Sequence, residues 1–313
     1  MITLSVIIPC YNEEEIIGKT IKSLVKVCSS FKEIETEYIF VDDGSKDSTL
    51  KILKQNSQKN SNIKILSLSR NFGHQIALTA GIEHSSGDAV VIIDADLQDP
   101  PKLIEKMLEK WKIGFDVVYA KRKKRNGETK FKILTASFFY RLLSFLSDIS
   151  IPQDTGDFRL ISRRVCDILI SMPERDRFVR GMVSWVGFKQ TEVLYERQKR
   201  LAGETKYPFQ KMIKLALDGI ISFSTKPLRI ATILGFFSAF LSLTGIFYAV
   251  ILRLFSNTWV EGWTAIMIVM LFLGGMQMII LGILGEYIGR VYNESKNRPL
   301  YILSNSIGFN QNK

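Results

Sequence analysis

Two aspartates separated by one residue, Asp94 and Asp96, are the strongest candidates for chemistry in this sequence. Residues two apart in an extended segment point to the same side, so both carboxylates could face one Mg²⁺ or Mn²⁺ ion, with Gln98 as a further ligand. The apolar residues 90–93 precede the pair and two prolines, 100–101, follow it, which places the acids at the mouth of a buried strand. Alone, this pair is a weak signal, because acids at strand ends are often helix caps or solvated turns.

The elements that must position these acids alternate between strands and helices. Strands are predicted over residues 4–9, 38–42, 63–67, 89–94 and 115–120, and helices over 13–29, 47–57, 75–84 and 100–111. This alternation predicts an α/β fold with a mainly parallel sheet. Ligands of such sheets bind outside the carboxyl ends of the strands. We expect one acid-lined crevice there, formed by Glu13, Asp42, Asp43, Asp94 and Asp96.

The sequence argues against two common nucleotide-binding folds. No G-x-G-x-x-G follows the first strand, and Gly44-Ser45-Lys46 lacks the upstream glycine of a P-loop. An acid-lined crevice can hold an anionic diphosphate only if a divalent cation lies between them, since carboxylate and phosphate repel. The sequence therefore predicts a cation-dependent diphosphate site.

Two long segments near the C-terminus carry no charge: residues 230–252, which number 23, and residues 262–285, which number 24. A helix needs about 20 apolar residues to cross the hydrocarbon core of a bilayer. The alternative, a pair of core helices in a soluble protein, is disfavoured because such helices rarely stay apolar on every face over this length. We predict a two-helix transmembrane hairpin.

The composition of the whole chain also excludes one class of protein. Its hydrophobic content, 46%, is too high for an intrinsically disordered protein.

Basic residues flank both ends of the predicted hairpin, at Lys226, Arg229, Arg290, Lys296 and Arg298. Lys and Arg collect on the cytoplasmic side of short membrane segments. We therefore expect a protein of the cytoplasmic membrane, with its N-terminal domain and both termini in the cytoplasm. No signal peptide is expected, since only three residues precede the first strand. The three cysteines lack metal-site spacing and suit reduced thiols.

Several segments, in order and spacing, resemble the family 2 glycosyltransferases, which have a GT-A nucleotide-sugar fold. They are Ser5-Val6-Ile7-Ile8-Pro9 with Tyr11-Asn12-Glu13, Val41-Asp42-Asp43-Gly44-Ser45, and Asp94-Ala95-Asp96-Leu97-Gln98-Asp99-Pro100. Three further features resemble polyprenyl-phosphate glycosyltransferases, such as dolichol-phosphate mannose synthases. They are Ser69-Arg70-Asn71-Phe72-Gly73, Thr155-Gly156-Asp157-Phe158-Arg159 and the hairpin with Gly285-Glu286-Tyr287-Ile288-Gly289-Arg290. The resemblance covers nearly the whole chain and is nearest to the bactoprenol glucosyltransferase branch.

This resemblance implies roles for individual residues. The donor base and ribose would be held by Pro9, Tyr11, Glu13, Asp42 and Asp43, and the metal and diphosphate by Asp94, Asp96 and Gln98. Asp157 matches the catalytic aspartate of the family, and Arg159 is a candidate for the acceptor phosphate. The segment 200–206, with Arg200 and Lys206, resembles a mobile loop whose basic residues close over phosphate. Its alternative interpretation is a solvated basic turn.

Two kinds of segment point to a lipid acceptor. Five cations, residues 121–125, directly follow the fifth predicted strand. We expect Arg122 to reach the acceptor phosphate and the others to attract anionic headgroups, although such runs are often only solvated surface. Residues 131–148 are too apolar for an ordinary surface helix, and 208–224 is a second such stretch. Both are predicted to lie in the membrane interface.

The two histidines, His74 and His84, have no cysteine or carboxylate at metal-ligand spacing, so both are interpreted as structural or incidental. Small residues in the hairpin, Gly274-Gly275 and Gly285-x-x-x-Gly289, would permit close helix packing within or between subunits, including a homo-oligomer.

The expected domain divisions of the chain are 1–130 for the nucleotide-sugar domain, 131–227 for the acceptor region, 228–292 for the hairpin and 293–313 for a cytoplasmic tail.

Together these features predict an inverting hexosyltransferase that moves a sugar from a UDP-sugar to a membrane polyprenyl phosphate, with glucose and undecaprenyl phosphate as best guesses. No nucleic-acid partner is expected. A processive polysaccharide synthase is one alternative, but it would need more spans and a Q-x-x-R-W motif. A catalytically silent nucleotide-sugar sensor is the other, but it would not need Asp157.

Overall fold

The computed structural model describes residues 1–123, 152, 155–196, 221, 224–255 and 262–309. Several sequence predictions fall outside the described residues. They are the interfacial helix 131–148, nearly all of 208–224, the loop 200–206 with Arg200 and Lys206, and most of the turn between the two spans.

Eight strands of the described chain form one sheet in the order β7-β5-β6-β4-β1-β2-β3-β8. They are β1 (Ile2–Cys10), β2 (Ile34–Asp42), β3 (Ile63–Leu68), β4 (Ala89–Ile92), β5 (Val117–Arg122), β6 (Thr155–Ser162), β7 (Gln190–Tyr195) and β8 (Leu303–Ile307). The described helices are α1 (Ile17–Cys28), α2 (Thr49–Ser57), α3 (His74–Glu83), α4 (Leu103–Lys112), α5 (Arg163–Ser171), α6 (Val179–Val186), α7 (Lys226–Phe255) and α8 (Trp263–Ser295). The predicted α/β fold is confirmed, and each strand and helix predicted over residues 4–120 corresponds to an observed one.

The core lies on both faces of this sheet. Successive residues of a strand point to opposite faces, so Val6 packs in the layer that contains α1 and α4, whereas Ile7 packs in the layer that contains α3 and α6. Strands buried on both faces need continuous apolar runs, which explains the composition of β1, β2 and β4. Helix α1 buries Ile17, Ile21 and Leu24, at the spacing of one helical face.

Strand β6 sets the geometry of the crevice because it runs antiparallel to β4, with Ile92 opposite Arg159. Strands β1, β2, β3 and β4 pair in parallel, so their carboxyl ends meet at one edge of the sheet. An antiparallel strand brings its N-terminal end to that same edge. The first residues of β6, which include Asp157, therefore lie beside the carboxyl end of β4.

The segment after the hairpin corrects one prediction. Residues 293–313 were expected to form a tail, but α8 continues to Ser295 and the chain then supplies β8, which pairs antiparallel with β3. Strand β8 is short and largely polar, Leu303-Ser304-Asn305-Ser306-Ile307, so it carries no hydrophobic pattern that predicts a strand. Strand β8 forms because the edge of β3 offers backbone N–H and C=O groups for pairing.

Helices α7 and α8 are long and apolar enough to cross a membrane. Their most apolar windows are 6% and 0% buried within the protein, so the rest of the described chain does not cover them. Large apolar faces of this kind require a nonaqueous surrounding. The two helices therefore have the character of the predicted membrane hairpin.

Substituting Gly81 with alanine should destabilise the protein, whereas the same change at Gly18 should not. A Cβ atom at Gly81 would lie 2.3 Å from Cγ2 of Ile7, a fully buried side chain. Overpacking of this kind costs about 1–3 kcal/mol, which exceeds the gain of up to about 1 kcal/mol for alanine over glycine in a helix. A Cβ atom at Gly18 would meet nothing within 4 Å. Thermal unfolding midpoints of the full-length variants check this, and a Gly81→Ala protein as stable as Gly18→Ala would contradict the packing.

Candidate active site

The loops after β1 and β2, which carry the predicted donor-side residues, are locked together by hydrogen bonds. The backbone N–H of Asn12 donates to Oγ of Ser45 (3.0 Å), and the N–H of Lys46 donates to Oδ1 of Asn12 (2.8 Å). The N–H of Glu13 also donates to Oγ1 of Thr49 (2.8 Å). These hydrogen bonds hold the two loops against each other at the crevice. The side chain of Tyr11, next to Asn12 in the first loop, is exposed.

Asp42 and Asp43 end β2 and are both buried, but they have different partners. Asp42 accepts from the N–H of Ser45 (3.2 Å) and from Oγ of Ser67 (3.2 Å). Asp43 accepts from the N–H groups of Phe72 (2.7 Å) and Gly73 (2.9 Å). Burial raises the pKa of Asp43, and these two N–H donors oppose the rise. Asp43 thus positions the start of α3, a role that the sequence did not indicate.

Gly44 lets the segment before α3 cross the loop after β2. Its φ is +68°, and a Cβ atom there would lie 2.5 Å from the carbonyl carbon of Arg70. Only glycine combines this left-handed conformation with so close a backbone approach. The segments 41–45 and 69–73, both quoted above for the family resemblance, are therefore in direct contact.

Four carboxylates meet where β4 ends and β6 begins; we call Asp94, Asp96, Asp99 and Asp157 the acid cluster. The pKa of Asp94 is raised to about 6, first by desolvation and then by the negative charges of the other three, against an opposing effect of His74. Asp96 accepts from the N–H of Gln98 (3.1 Å). Of the acids expected in one crevice, Asp94 and Asp96 lie in this cluster together with Asp157, whereas Asp99 was not predicted as a site residue.

His74, which the sequence led us to interpret as structural or incidental, lies inside the acid cluster and pairs with two of its carboxylates. Its Nε2 is 3.2 Å from Oδ2 of Asp157 and 3.7 Å from Oδ1 of Asp94. Burial lowers the pKa of His74, but the hydrogen bond to Asp157 and the charges of both aspartates outweigh this effect and raise it to about 9. His74 is therefore a cation at neutral pH. The signal available in the sequence was its position directly after the segment 69–73.

Arg180, on α6, is the second partner of Asp157 and was also missed. Its Nε donates to Oδ1 of Asp157 (2.8 Å) and its Nη2 to Oδ2 (3.1 Å). Desolvation of Asp157 favours the neutral acid, but Arg180 and His74 overcome it and hold the pKa of Asp157 well below its usual range. Asp157 is consequently a firmly held anion. No local pattern around Arg180 indicates this pairing.

The two predicted phosphate ligands that the structure describes have different surroundings. Arg159 is only 4% exposed and donates to the carbonyl oxygen of Gly156 (2.9 Å). Burial lowers its pKa to about 10 despite the opposing charge of Asp157. Asp157 is thus paired with Arg180 and His74, and a buried Arg159 is poorly placed to contact an acceptor.

Arg122 is connected to the acid cluster through Tyr195. Its Nε donates to the Tyr195 hydroxyl (3.3 Å), and that hydroxyl donates to Oδ1 of Asp99. Burial and the charge of Asp99 raise the pKa of Tyr195 to about 12, so the phenol keeps its proton. Arg122 is therefore connected to the acid cluster through one tyrosine, and its contact with the acceptor phosphate stays a prediction.

Comparison with known proteins identifies the family of this chain. Residues 5–169 match "Glycosyl transferase family 2", and residues 226–291 match "GtrB C-terminal hairpin". A glycosyltransferase named YkcC from Bacillus subtilis is 52% identical over 98% of this chain and 95% of its own length. A bactoprenol glucosyl transferase from Shigella phage SfV is 44% identical over 96% of this chain and 98% of its own length.

Among solved structures, mannosyl-3-phosphoglycerate synthase from Rubrobacter xylanophilus has a similar fold. The TM-score is 0.50 at 18% sequence identity, over 69% of this chain and 71% of that one. The predicted fold class and the predicted family are both confirmed. This chain belongs to glycosyl transferase family 2, as a glycosyltransferase with a GtrB-type C-terminal hairpin.

Proposed function

We propose that this enzyme transfers a hexose, glucose in the first instance, from a UDP-sugar to a polyprenyl phosphate such as undecaprenyl phosphate, with inversion at the anomeric carbon. The observation that carries the proposal is the acid cluster beside two cations, His74 and Arg180, in a chain with a membrane hairpin. Relatives 44% identical over nearly the whole chain are named bactoprenol glucosyl transferase. Two spans in the described chain are few for a processive synthase, and a sensor would not need a partnered Asp157.

On the donor side, the interlocked loops after β1 and β2 would hold the nucleotide. Pro9, Tyr11 and Glu13 lie on or next to the first loop, and Tyr11 is exposed there. Asp42 ends β2 at the same edge of the sheet. Aromatic and carboxylate groups at this position suit stacking on a base and hydrogen bonding to ribose hydroxyls.

Asp94 and Asp96 would hold a divalent cation only together with oxygens of the donor diphosphate, because the described residues contain no group of three or more His, Cys, Asp or Glu side chains placed to hold an ion alone. Asp94 and Asp96 offer the oxygen ligands that Mg²⁺ and Mn²⁺ prefer, with Gln98 nearby. Burial first, and then the negative charges of Asp157, Asp99 and Asp96, raise the pKa of Asp94, and a bound cation would oppose both effects. When bound, the ion would neutralise charge on the donor diphosphate and on the leaving nucleoside diphosphate.

On the acceptor side, cations must offset the charge of an incoming phosphate. That phosphate has a second pKa of about 6 and is mostly dianionic at neutral pH, so it can attack the anomeric carbon without a strong base. Asp157 alone would repel it. The salt bridge to Arg180 and the contact with His74 offset this repulsion, and Arg122 adds a third cation; Arg200 and Lys206 remain sequence predictions.

Asp157 acts, on this proposal, by orienting Arg180 and His74 rather than as a general base. A base must take up a proton during the reaction. The two partners oppose protonation, since they hold the pKa of Asp157 well below its usual range. Orientation of cations against a developing charge needs no such proton transfer.

Chelation of divalent cations should abolish turnover, and Mg²⁺ or Mn²⁺ should restore it. Asp96→Asn should lower turnover by about 100-fold and weaken Mn²⁺ binding, measured directly by electron paramagnetic resonance. The asparagine keeps the oxygen that accepts from Gln98, so the fold should persist. Asp167→Asn, at an exposed position on α5, is the matched control. Near wild-type activity of Asp96→Asn, or turnover with metal shown to be absent, would refute the metal role.

The proposed orientation puts the catalytic domain and both termini in the cytoplasm, because Lys and Arg flank the outer ends of the hairpin. A cysteine introduced at Asn257 should react with an impermeant maleimide added to intact cells. One introduced at Asn310 should react only after permeabilisation. The native cysteines are all buried and give a low background. The reverse labelling pattern would overturn the orientation and separate the site from cytosolic nucleotide sugars.

Asp157→Asn should lower turnover by about 100-fold, and the defect should be at least as large at about pH 8 as at about pH 6, because loss of Asp157 also removes contacts that keep His74 protonated. An orienting carboxylate stays ionised across this range, since its pKa lies far below it. A general base would instead matter most at low pH, where the acceptor monoanion is abundant. The pH profile of the wild-type to variant ratio distinguishes the two.

Asp116→Asn is the matched control, because Asp116 also forms a two-point salt bridge, with Arg164, on the outer part of the sheet. It should affect stability and leave the turnover of folded enzyme unchanged. A defect in Asp157→Asn that disappears by about pH 8.5 would show that Asp157 is a base.

A further inference from the structure

The strand that follows the membrane hairpin contacts the donor side through a serine. Oγ of Ser304, on β8, lies 3.0 Å from the carbonyl oxygen of Ser67 and 3.2 Å from Oγ of Ser67, and it can donate its proton to either. Ser67, on β3, in turn donates to Oδ2 of Asp42 (3.2 Å). Ser67 is 3% and Asp42 1% exposed, so water does not compete for this bond.

The hydrogen bonds continue from Asp42 into the donor-side loops. Oδ1 of Asp42 accepts from the N–H of Ser45, and Oγ of Ser45 accepts from the N–H of Asn12 (3.0 Å). Asn12 lies between Tyr11 and Glu13 in the chain. A continuous series of hydrogen bonds therefore joins β8 to the loop that carries the residues proposed to hold the nucleotide.

Strand β8 is fixed independently at both of its ends. The carbonyl oxygen of Ile302 accepts from the N–H of Ser69 (2.9 Å), and the hydroxyl of Tyr301 donates to Glu83 (2.5 Å). After the strand, the ring of Phe309 packs edge-on against His84, with centroids 5.7 Å apart. The register of β3 and β8 shifts between Ser67 and Leu68, and such irregularities redirect side chains. The backbone that carries Ser304 is thus fixed against β3.

We propose that Ser304 is a positioning residue of the donor site, so that the segment beyond the membrane hairpin is a working part of nucleotide binding. Ser67 has one proton, and Asp42 needs it because a buried carboxylate without donors is costly. A bond from Ser304 to Ser67 favours the rotamer that donates to Asp42, and chains of hydrogen bonds strengthen one another. This inference rests on the proposed function, since it assigns Asp42 and its loops to the nucleotide.

The test compares Ser304→Ala with Ser306→Ala in the full-length protein. Ser306 lies two residues along the same strand, is equally exposed and makes no side-chain hydrogen bond with a described residue. Loss of one hydrogen bond corresponds to a change of about twofold to tenfold. Ser304→Ala should raise the KM for the sugar donor and the Kd for UDP with Mg²⁺ by that factor. Its kcat, its KM for the lipid acceptor and its Tm should stay near wild type.

Two further variants separate positioning from simple edge-strand stability. Ser304→Thr keeps the hydroxyl and should restore donor affinity. In a double-mutant cycle, adding Ser304→Ala to Ser67→Ala should cause no further loss, because both act through one route. Equal donor affinity in Ser304→Ala and wild type, a similar loss in Ser306→Ala, or additive losses would overturn the proposal. A wild-type protein that binds neither UDP nor GDP would overturn the proposed function itself, and this inference with it.

Discussion

The salt bridge between Arg180 and Asp157, completed by His74, is the interaction on which the rest of the site depends. A buried carboxylate next to three others would be neutral or unstable without partners. Two cations from different helices keep it charged, and each ties a separate part of the fold to the crevice. Arg180 brings α6, and His74 brings the first residue of α3.

This arrangement links the donor and acceptor halves of the crevice. His74 follows Gly73 directly, and Asp43 holds the N–H groups of Phe72 and Gly73. A carboxylate at the end of β2 therefore fixes the histidine that contacts Asp94 and Asp157. The loop that we assign to the donor, the acid cluster and the two cations are therefore joined by direct contacts, which on the proposed function suits a reaction that must align two substrates.

The sequence predicted well whatever depends on neighbouring residues. The first five strands and four helices follow from local alternation of apolar residues, and Asp94, Asp96 and Asp157 follow from short motifs. Strands β6, β7 and β8 were not predicted, because each has only two or three apolar residues and its place in the sheet depends on pairing with a segment far away in the chain. The contacts of His74 were missed for the same reason: its partner Asp157 is 83 residues away. A search for metal ligands by spacing cannot find a histidine whose role is to pair with carboxylates across the sheet.

The membrane hairpin is connected to the catalytic domain at two places: the loop before α6, and strand β3 through β8. At the end of α8, a carboxylate oxygen of Glu294 accepts from the N–H of Arg175 (2.7 Å), in the loop that leads to α6 and Arg180. Tyr287 donates to the carbonyl oxygen of Ser224, just before α7 (2.7 Å). Beyond α8 the chain returns as β8 and reaches the donor side through Ser304. An enzyme whose acceptor phosphate is fixed at the depth of the headgroups needs its donor site held at that same depth. Attachment at two points resists rotation of the domain about the hairpin, which attachment at one point would allow.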